Sequence, residues 1–389
     1  MLKRIIPIPT RSFLLLGPRG TGKSTWLRQT FSEALYIDLL NSRQFLELSS
    51  DPTKIRELTS ARAPGDWIII DEIQRVPELL SEVHALYEEH RLHFALSGSS
   101  ARKLRRGGAD LLAGRALQSF MFPLVHLEYQ EKYTMDDALN WGTLPLVVSA
   151  PEHRPETLST YVETYLREEL MAEAMIRSLE PFVRFMRVAG LYSGQILNVE
   201  NIAREARVKR TTVDRYFEIL EDTLIGVRVP AYHGGLKAKE TAHPKFYFFD
   251  SGVARAAAGL PDDRLDPVWQ GFSFETVILN ELRTYNRYFK KNRDIFHYSI
   301  TGSYDIDFII EAQRKTLSAP SELILVEVKL ASRWNSEWAK PLTDFASRSR
   351  SKIARQICVY RGNEVRRVGN VEGYPAERFV EELFAGKLF

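Results

Sequence analysis

A phosphate-binding loop is predicted near the start of the chain by eight consecutive residues. The pattern G-x-x-x-x-G-K-[ST] is matched by Gly17-Pro18-Arg19-Gly20-Thr21-Gly22-Lys23-Ser24, after an apolar run and before a predicted helix. Glycines let the backbone curl so that successive N–H groups converge on phosphate oxygens at a helix N-terminus. We expect the Lys23 ammonium to reach the β- and γ-phosphates and the Ser24 hydroxyl to bind Mg²⁺. The residues expected to hold the nucleotide are Gly17, Gly20, Thr21, Gly22, Lys23, Ser24 and Thr25.

Two acids at the end of a later apolar run favour hydrolysis of ATP over nucleotide binding alone. Asp71 and Glu72 follow Ile68-Ile69-Ile70. There, Asp71 can hold Mg²⁺ through water and Glu72 can polarise the attacking water. The next apolar run ends in Ser97-Gly98-Ser99-Ser100, where a hydroxyl can contact the γ-phosphate. An ordinary turn with local hydroxyl hydrogen bonds is the alternative for these serines.

A basic helix-turn-helix pattern lies in the middle of the chain, between residues 201 and 220. Ile202, Val208, Val213 and Phe217 have the spacing of residues that pack internally. The start and outer face of the second helix then carry the residues that meet phosphates and base edges in a major groove, which are Arg207, Lys209, Arg210, Thr211, Thr212 and Arg215. Two strand-like runs follow, as in a wing. Packing against another protein remains an alternative for such a module.

Carboxylates and a lysine near the C-terminus have the order needed for metal-dependent cleavage of a phosphodiester. Alternation along Tyr304 to Ile310 places Asp305 and Asp307 on one face of a strand, and Glu327 shares a face of the following strand with Lys329. Carboxylates in this order can hold Mg²⁺ over a scissile phosphate while the lysine orients water. Glu275, at the start of an amphipathic helix, can add a carboxylate.

The elements that must position these residues form an α/β pattern. Short apolar runs at 13–16, 34–37, 67–70 and 92–96 alternate with helical patterns and predict a parallel sheet, and residues 120–127 supply a candidate fifth strand. A helical segment and the helix-turn-helix follow, and then a second set of strands. We predict domains at 1–130, 131–260 and 261–389.

Composition places limits on the class of protein. Apolar residues make up 44% and charged residues 26%, which is typical of globular chains, and a single Cys358 excludes an intrachain disulfide framework. No run approaches a membrane span, and the start, soon interrupted by Pro7, does not resemble a secretory signal. We therefore expect a cytoplasmic protein without membrane contact. The net charge of +3 is uninformative, but basic clusters at 102–115 and 333–355 favour anionic partners.

Together these motifs resemble the AAA+ ATP-binding proteins of bacteria and archaea that carry a C-terminal restriction-endonuclease-like domain. The resemblance rests on Gly-Pro-Arg in the phosphate loop, Asp71-Glu72-Ile73-Gln74, Ser97-Gly98-Ser99-Ser100 and Gly114-Arg115, and it continues through Trp141-Gly142-Thr143-Leu144-Pro145. It implies Ser99 as the sensor and Arg115 as the leading arginine finger, reaching the nucleotide of a neighbouring subunit. Arg102, Arg105 and Arg106 compete for that role.

The C-terminal pattern resembles the PD-(D/E)XK nuclease core. This implies Asp307, Glu327 and Lys329 as the main triad, with Glu275 as a helper. The predicted fold is thus a P-loop AAA+ domain, a helical and winged-helix middle domain and an α/β nuclease-like domain. The implied function is an ATPase that uses ATP and Mg²⁺, acts on duplex or branched DNA and forms a ring of about six subunits. A nuclease-like domain that only grips DNA, and a nucleotide-switched regulatory ATPase whose winged helix binds protein, are the alternatives.

Overall fold

A computed structural model describes residues 2–100, 116–166, 179–233, 240–260, 265–300 and 303–389. The predicted finger Arg115 and its competitors Arg102, Arg105 and Arg106 lie outside these ranges. No helix within the ranges is long and apolar enough to cross a membrane.

The N-terminal unit (residues 2–100 and 116–122) contains a five-stranded parallel sheet. Its strands are β1 (Phe13–Leu16), β2 (Leu35–Asp38), β3 (Trp67–Asp71), β4 (His93–Gly98) and β5 (Leu117–Phe120), in the order β2-β3-β4-β1-β5. Its helices are α1 (Lys23–Thr30), α2 (Ser42–Ser50), α3 (Ile55–Thr59) and α4 (Leu79–His90). The first four strands and their helical connections confirm the α/β prediction for this part of the chain.

The continuous apolar runs are explained by burial on both faces of this sheet. Ile68 and Ile70 pack on one face with Phe94, whereas Ile69 packs on the other with Phe13. The predicted fifth strand at 120–127 is wrong in position. Pairing with β1 aligns Phe13 with Leu117, so the strand begins earlier, and its half-exposed residues at the sheet edge lack the apolar signal of a central strand.

The central unit (residues 143–260) contains mostly helices and a small antiparallel sheet. Between the N-terminal unit and this one lie α5 (His126–Tyr129) and α6 (Met135–Trp141). The helices that follow are α7 (Pro145–Ser149), α8 (Arg154–Thr160), α9 (Leu179–Leu191), α10 (Val199–Ala206), α11 (Arg210–Asp222) and α12 (Ser251–Ala257), with a π-helical turn at Tyr161–Leu166. Strands β6 (Gln195–Ile196), β7 (Gly226–Val229) and β8 (Lys245–Phe248) pair in the order β6-β8-β7. Helices α10 and α11 occupy the positions that the helix-turn-helix pattern predicts.

The C-terminal unit (residues 265–389) contains a six-stranded mixed sheet beside a long helix, α13 (Pro267–Tyr288). Its strands are β9 (Asp294–Ser299), β10 (Asp305–Gln313), β11 (Glu322–Lys329), β12 (Lys352–Tyr360), β13 (Arg366–Val368) and β14 (Val371–Pro375). Their order is β13-β14-β12-β11-β10-β9, and the remaining helices are α14 (Ala339–Arg348) and α15 (Ala376–Phe384). The predicted strands beginning near residues 304, 322 and 356 are all present.

Side-chain packing connects the units. Tyr129 and Leu139, from α5 and α6, belong to the same buried cluster as Phe274, Leu282 and Phe379 of the C-terminal unit. The segment near the expected boundary at 130–131 therefore contributes apolar surface to the C-terminal core. The three domain ranges stay predictions, and the core around α13 includes residues from all three of them.

Asp250 joins the turn after α6 to the start of α12. Its carboxylate accepts hydrogen bonds from the backbone N–H of Val253 at 3.0 Å, as a helix cap, and of Thr143 at 2.6 Å. Gly142 has φ of 74°, and a Cβ there would lie 1.9 Å from Asp250 Oδ1. Burial raises the pKa of Asp250 to about 6.

The pKa of Asp250 predicts a pH-dependent difference between wild type and Asp250→Asn. Because folding raises this pKa, ionisation of Asp250 opposes folding, and wild type should lose stability relative to Asp250→Asn as the pH rises from about 4 to about 6. The change in the difference should approach about 3 kcal/mol. Urea unfolding of both proteins between pH 4 and 7 measures it, and a difference that is constant with pH would contradict the assignment.

Candidate functional site

The loop from Gly17 to Gly22 connects β1 to α1 and is held close to the neighbouring strand ends. The backbone N–H of Gly17 donates to the carbonyl of Gly98 at 3.2 Å, and a Cβ on Gly17 would lie 2.4 Å from the carbonyl oxygen of Met121. Gly22 caps α1 with φ of 90°, in the left-handed region that favours glycine. The glycines of the motif are thus required by close backbone approach and by φ.

Lys23 lies over this loop and is buried. Its Nζ donates to the carbonyl oxygens of Gly17 at 2.8 Å and Pro18 at 3.1 Å, and the Thr21 hydroxyl donates to Pro18 at 2.8 Å. The cavity around the loop has a volume of about 460 Å³ and is also lined by Ser24, Thr25 and Glu72. The ammonium and the backbone N–H groups at the start of α1 therefore face a space suited to anionic phosphates.

The acids and serines predicted to act on the nucleotide form one hydrogen-bonded network beside this cavity. Asp71 is buried and accepts hydrogen bonds from the hydroxyls of Ser97 and Tyr36. Gln74 donates through Nε2 to Ser99 Oγ at 2.9 Å and to Glu72. Glu72 has φ of 60°, which turns its side chain away from the strand direction.

Three residues that sequence reasoning missed support the loop from outside. The guanidinium of Arg4 donates to the carbonyls of Thr21 at 2.6 Å and Phe122 at 2.7 Å and to Glu128 Oε1 at 3.0 Å. The Tyr161 hydroxyl donates to the carbonyl of Arg19 at 2.9 Å. These groups lie far from the motif in sequence, so the pattern contained no signal for them.

The residues around the cavity fit a nucleotide with Mg²⁺. The loop amides and Lys23 would hold the phosphates, Ser24 would bind the ion directly, and Asp71 would bind it through water. Both Asp71 oxygens already accept hydroxyl hydrogen bonds, which is consistent with an outer position. When bound, Mg²⁺ would neutralise charge that develops on the β- and γ-phosphates.

Three carboxylates of the C-terminal unit lie close together. Strand β10 pairs with β11 so that Phe308 faces Val326, and this antiparallel register places Asp307 opposite Glu327. Glu275 on α13, Asp307 and Glu327 are hereafter the carboxylate cluster. Lys329 forms an ion pair with Glu327, and the backbone N–H of Val328 donates to Asp307 Oδ2 at 2.9 Å.

A lysine from the central unit lies inside the carboxylate cluster. Lys245, the first residue of β8, places its ammonium 3.0 Å from Asp307 Oδ1, 3.2 Å from Glu275 Oε2 and 3.8 Å from Asp305 Oδ2. Its side chain is 5% exposed. The Tyr247 hydroxyl, from the same strand, donates to Glu275 Oε2 at 2.7 Å. The only sequence signal for this contact was a lysine at the start of an otherwise aromatic strand.

Burial and charge shift the pKa values in this cluster. Burial opposes the charge on Lys245, but Glu275 and its neighbours outweigh it and raise the pKa of Lys245 well above its ordinary value. Burial and Asp307 raise the pKa of Glu275 to about 7 and that of Glu327 well above its usual range. Oε2 of Glu327 is buried and has no hydrogen-bond partner among the residues that the structure describes. Lys245 thus neutralises the charges of Glu275 and Asp307 better than the charge of Glu327.

The carboxylate cluster does not fit a Mg²⁺ site in this arrangement. The Lys245 ammonium occupies the position between Glu275 and Asp307 where an ion would have to bind, and its charge would repel a divalent cation. Within the described ranges, no group of three or more His, Cys, Asp or Glu side chains is arranged to hold a metal ion. Metal binding by Asp307 and Glu327, and the catalytic roles of these residues with Lys329 and Glu275, stay predictions.

The predicted nucleic-acid residues lie at the turn between α10 and α11 and along the start of α11. Arg207 takes φ of 54° in the turn, and Val213 and Phe217 face the core. Arg210 pairs with Glu200 at 2.9 Å on the surface. Of the six predicted residues, Thr212 is half-buried. The other five are exposed, namely Arg207, Lys209, Arg210, Thr211 and Arg215. These exposed residues at the turn and at the start of α11 are hereafter the α11 face.

Family models divide the chain into three parts. Residues 9–130 match an AAA domain, residues 132–264 match a domain of unknown function (DUF8612) and residues 270–379 match another domain of unknown function (DUF4143). The N-terminal unit is therefore similar to the ATP-binding domain of AAA-type ATPases, in agreement with its parallel sheet and phosphate loop. The two further models assign no activity to the remainder.

Curated relatives are uncharacterized proteins. A protein of Mycobacterium tuberculosis is 24% identical over 279 residues, which are 68% of this chain and 61% of that protein. A protein of Haemophilus influenzae is 24% identical over 290 residues, which are 66% of this chain and 72% of that protein. The alignment thus spans about three fifths of the length of the mycobacterial relative.

Solved structures with local similarity include the ORC1 protein of Aeropyrum pernix in complex with DNA. Its sequence identity is 13% and its TM-score is 0.28, and the match covers 66% of this chain and 88% of that one. The clamp loader delta protein of Bacillus subtilis has 13% identity and a TM-score of 0.24, covering 55% of this chain and 84% of that one. Scores this low carry no argument about function.

Removal of the Lys245 ammonium should destabilise the protein strongly. Lys245→Met leaves Glu275 and Asp307 buried without a cation, and breaking a buried pair in this way costs about 3–5 kcal/mol. Chemical denaturation at pH 7 measures the loss, and Lys352→Met, whose side chain is 67% exposed, is the matched control with a smaller effect. A second change, Glu275→Gln, should restore part of the stability that Lys245→Met removes. Equal, small effects of both lysine variants would contradict a central role for Lys245.

Proposed function

We propose that this protein is an ATP-hydrolysing AAA-type ATPase that acts on DNA through the α11 face. The observation that carries the proposal is the single hydrogen-bonded network of Glu72, Gln74 and Ser99 beside the phosphate loop. A protein that only bound nucleotide would have no need to orient a carboxylate and a hydroxyl at this point. The AAA-domain match over residues 9–130 supports the same interpretation.

The proposed roles in hydrolysis follow from position. Lys23 neutralises the β- and γ-phosphates, and Glu72 accepts a proton from the attacking water. Gln74 is a positioning residue because its amide holds Glu72 and Ser99 together. Ser99 is proposed as the sensor that detects the γ-phosphate. The proposal also includes Arg115 as the arginine finger and assembly of the subunits into a ring.

DNA is the proposed partner because of the charge and shape of the α11 face. Exposed basic side chains cluster at the turn and at the start of a helix, which is the end that approaches base edges and phosphates in helix-turn-helix complexes. The ion pair between Arg210 and Glu200 is surface-exposed and weak, so a phosphate can replace Glu200 as the partner. Strands β7 and β8 follow as the proposed wing.

The C-terminal unit is proposed to hold its carboxylates in a state that does not cut DNA while Lys245 is in place. This observation favours a second candidate function, a nucleotide-switched regulatory ATPase with an inactive nuclease-like unit whose α11 face binds protein. Stimulation of ATP hydrolysis by DNA separates the two, because only the first proposal requires it. The DNA structure that stimulates most, duplex or branched, would define the substrate.

Substitutions in the ATP cavity test the first part of the proposal. Lys23→Ala should abolish nucleotide binding, because the loop loses its cation. Glu72→Gln should retain ATP binding but reduce hydrolysis about 10²–10⁴-fold, since an amide cannot accept the proton. Gln74→Ala should lower kcat more than it weakens binding. Phosphate release and ATP titration measure these effects, with exposed Glu78→Gln as the control. Normal turnover in Glu72→Gln would rule out its role.

Substitutions on the α11 face test the second part. The combined change Lys209→Gln, Arg210→Gln and Arg215→Gln should weaken duplex binding and abolish DNA stimulation, while basal ATP hydrolysis stays unchanged. The slope of log affinity against log salt should fall by about 0.9 for each DNA phosphate that the variant no longer neutralises. The control removes three basic residues of the N-terminal unit, Arg43, Lys54 and Arg62. Unchanged DNA affinity in the α11 variant, or no binding by wild type, would favour the regulatory alternative.

A further inference from the structure

A second concentration of positive charge surrounds a cavity that has no part in the functions proposed above. The cavity has a volume of about 340 Å³ and lies between β7, the C-terminal half of α13 and the start of β9. Its lining includes Arg228, Arg283, Arg287 and Arg293, with Asp294 as its one acid among the described residues. We call it the arginine cavity.

Only one of the four arginines has a carboxylate partner in the described part of the chain. Arg228 donates to Glu221, with Nε at 2.9 Å from Oε2. Asp294 is paired with Arg314 at 2.7 Å, outside the lining. The other three guanidinium groups lie over aromatic rings, Arg283 over Phe122 at 5.3 Å, Arg287 over Phe120 at 4.9 Å and Arg293 over Phe389 at 5.3 Å. In the described part of the chain, these three guanidinium groups therefore have no carboxylate at ion-pair distance, and Glu221 acts on Arg283 only from further away.

The arrangement is costly without an anion. Arg293 Nη1 is buried and has no hydrogen-bond acceptor among the described residues, and an unsatisfied charged donor is costly. Burial and the nearby Arg287 lower the pKa of Arg283 to about 10. Asn286, also in the lining, uses its side-chain amide to bond the backbone of Arg293 and so fixes the position of that residue. Arg283, Arg287 and Arg293 thus place three like charges around one space, and a cleft lined by charges of one sign attracts a polyvalent anion.

We propose that Arg283, Arg287 and Arg293 form a binding site for a phosphate group. Planar guanidinium groups donate paired hydrogen bonds to phosphate oxygens, and three of them match the charge of a phosphate better than that of a single carboxylate. This site goes beyond the proposed function, since it does not depend on the α11 face or on the phosphate loop. A phosphodiester of a nucleic-acid backbone and a free phosphate share this chemistry.

The surroundings favour a chain of phosphates over an isolated one. Arg287 also lines a neighbouring cavity of about 570 Å³, together with Lys290 and Asn292. That second space runs along β5, at the edge of the sheet that holds the phosphate loop. A phosphate bound at Arg287 therefore contacts α13 and lies beside the sheet of the N-terminal unit. There, Phe120 and Phe122 pack against Arg287 and Arg283.

Binding of inorganic phosphate tests the site directly. The experiment uses full-length Lys23→Ala protein, so that the phosphate loop does not contribute, and follows inorganic phosphate by calorimetry. Arg283→Gln and the exposed Arg287→Gln should each weaken binding at least about ten-fold, since each removes a charged hydrogen bond. Arg378→Gln, an equal charge change on α15 outside the cavity, is the control and should leave binding unchanged. Because Arg287 is exposed, its variant should fold normally.

Duplex DNA identifies the source of the phosphate. In the variant that lacks the three basic residues of the α11 face, a fluorescent duplex should retain weak binding, and Arg287→Gln should reduce its salt slope further by about 0.9. Competition of this duplex with inorganic phosphate assigns the site to a nucleic-acid backbone, whereas phosphate binding without competition assigns it to a free phosphate. Equal phosphate affinity in wild type, Arg283→Gln and Arg287→Gln would overturn the site, whatever the α11 variants show.

Discussion

Three carboxylates lie in the C-terminal unit with little access to water, and one ammonium from another part of the chain lies between two of them. Lys245 lies within 3.2 Å of both Glu275 and Asp307. A buried pair of this kind contributes little net stability when complete but is strongly destabilising when broken. The strand that carries Lys245 is therefore held against the C-terminal sheet, and with it the central unit that presents the α11 face.

Helix α13 connects the charged sites of the molecule. Its first half carries Glu275 into the carboxylate cluster, and its second half carries Arg283 and Arg287 into the arginine cavity. The same helix packs beside β5, so it also borders the ATPase sheet. Charges of opposite sign are thus separated along one rigid element. A ligand that binds at either end of α13 therefore contacts a helix that packs against both the N-terminal and the C-terminal units.

Local sequence was sufficient to predict the phosphate loop and most of the helices and strands. Gly17 to Ser24 form the predicted loop, in which Gly20 and Gly22 have positive φ and Gly17 allows close approach of the Met121 backbone. Apolar runs such as Ile68 to Ile70 identified central strands, and the spacing around Val213 located α10 and α11. The edge strand β5 was misplaced because an edge needs no continuous apolar run.

Sequence alone therefore predicted most of the elements and the side chains whose chemistry suits phosphate, Mg²⁺ or DNA. Only the tertiary structure decided which of these groups meet. Arg4 supports the loop at Thr21, and Gln74 holds Glu72 to Ser99. Lys245 enters a cluster whose order in sequence had indicated a metal. The physical reason is that the charge state and ligand of a buried carboxylate depend on every group within a few ångströms, and those groups come from segments far apart in the chain.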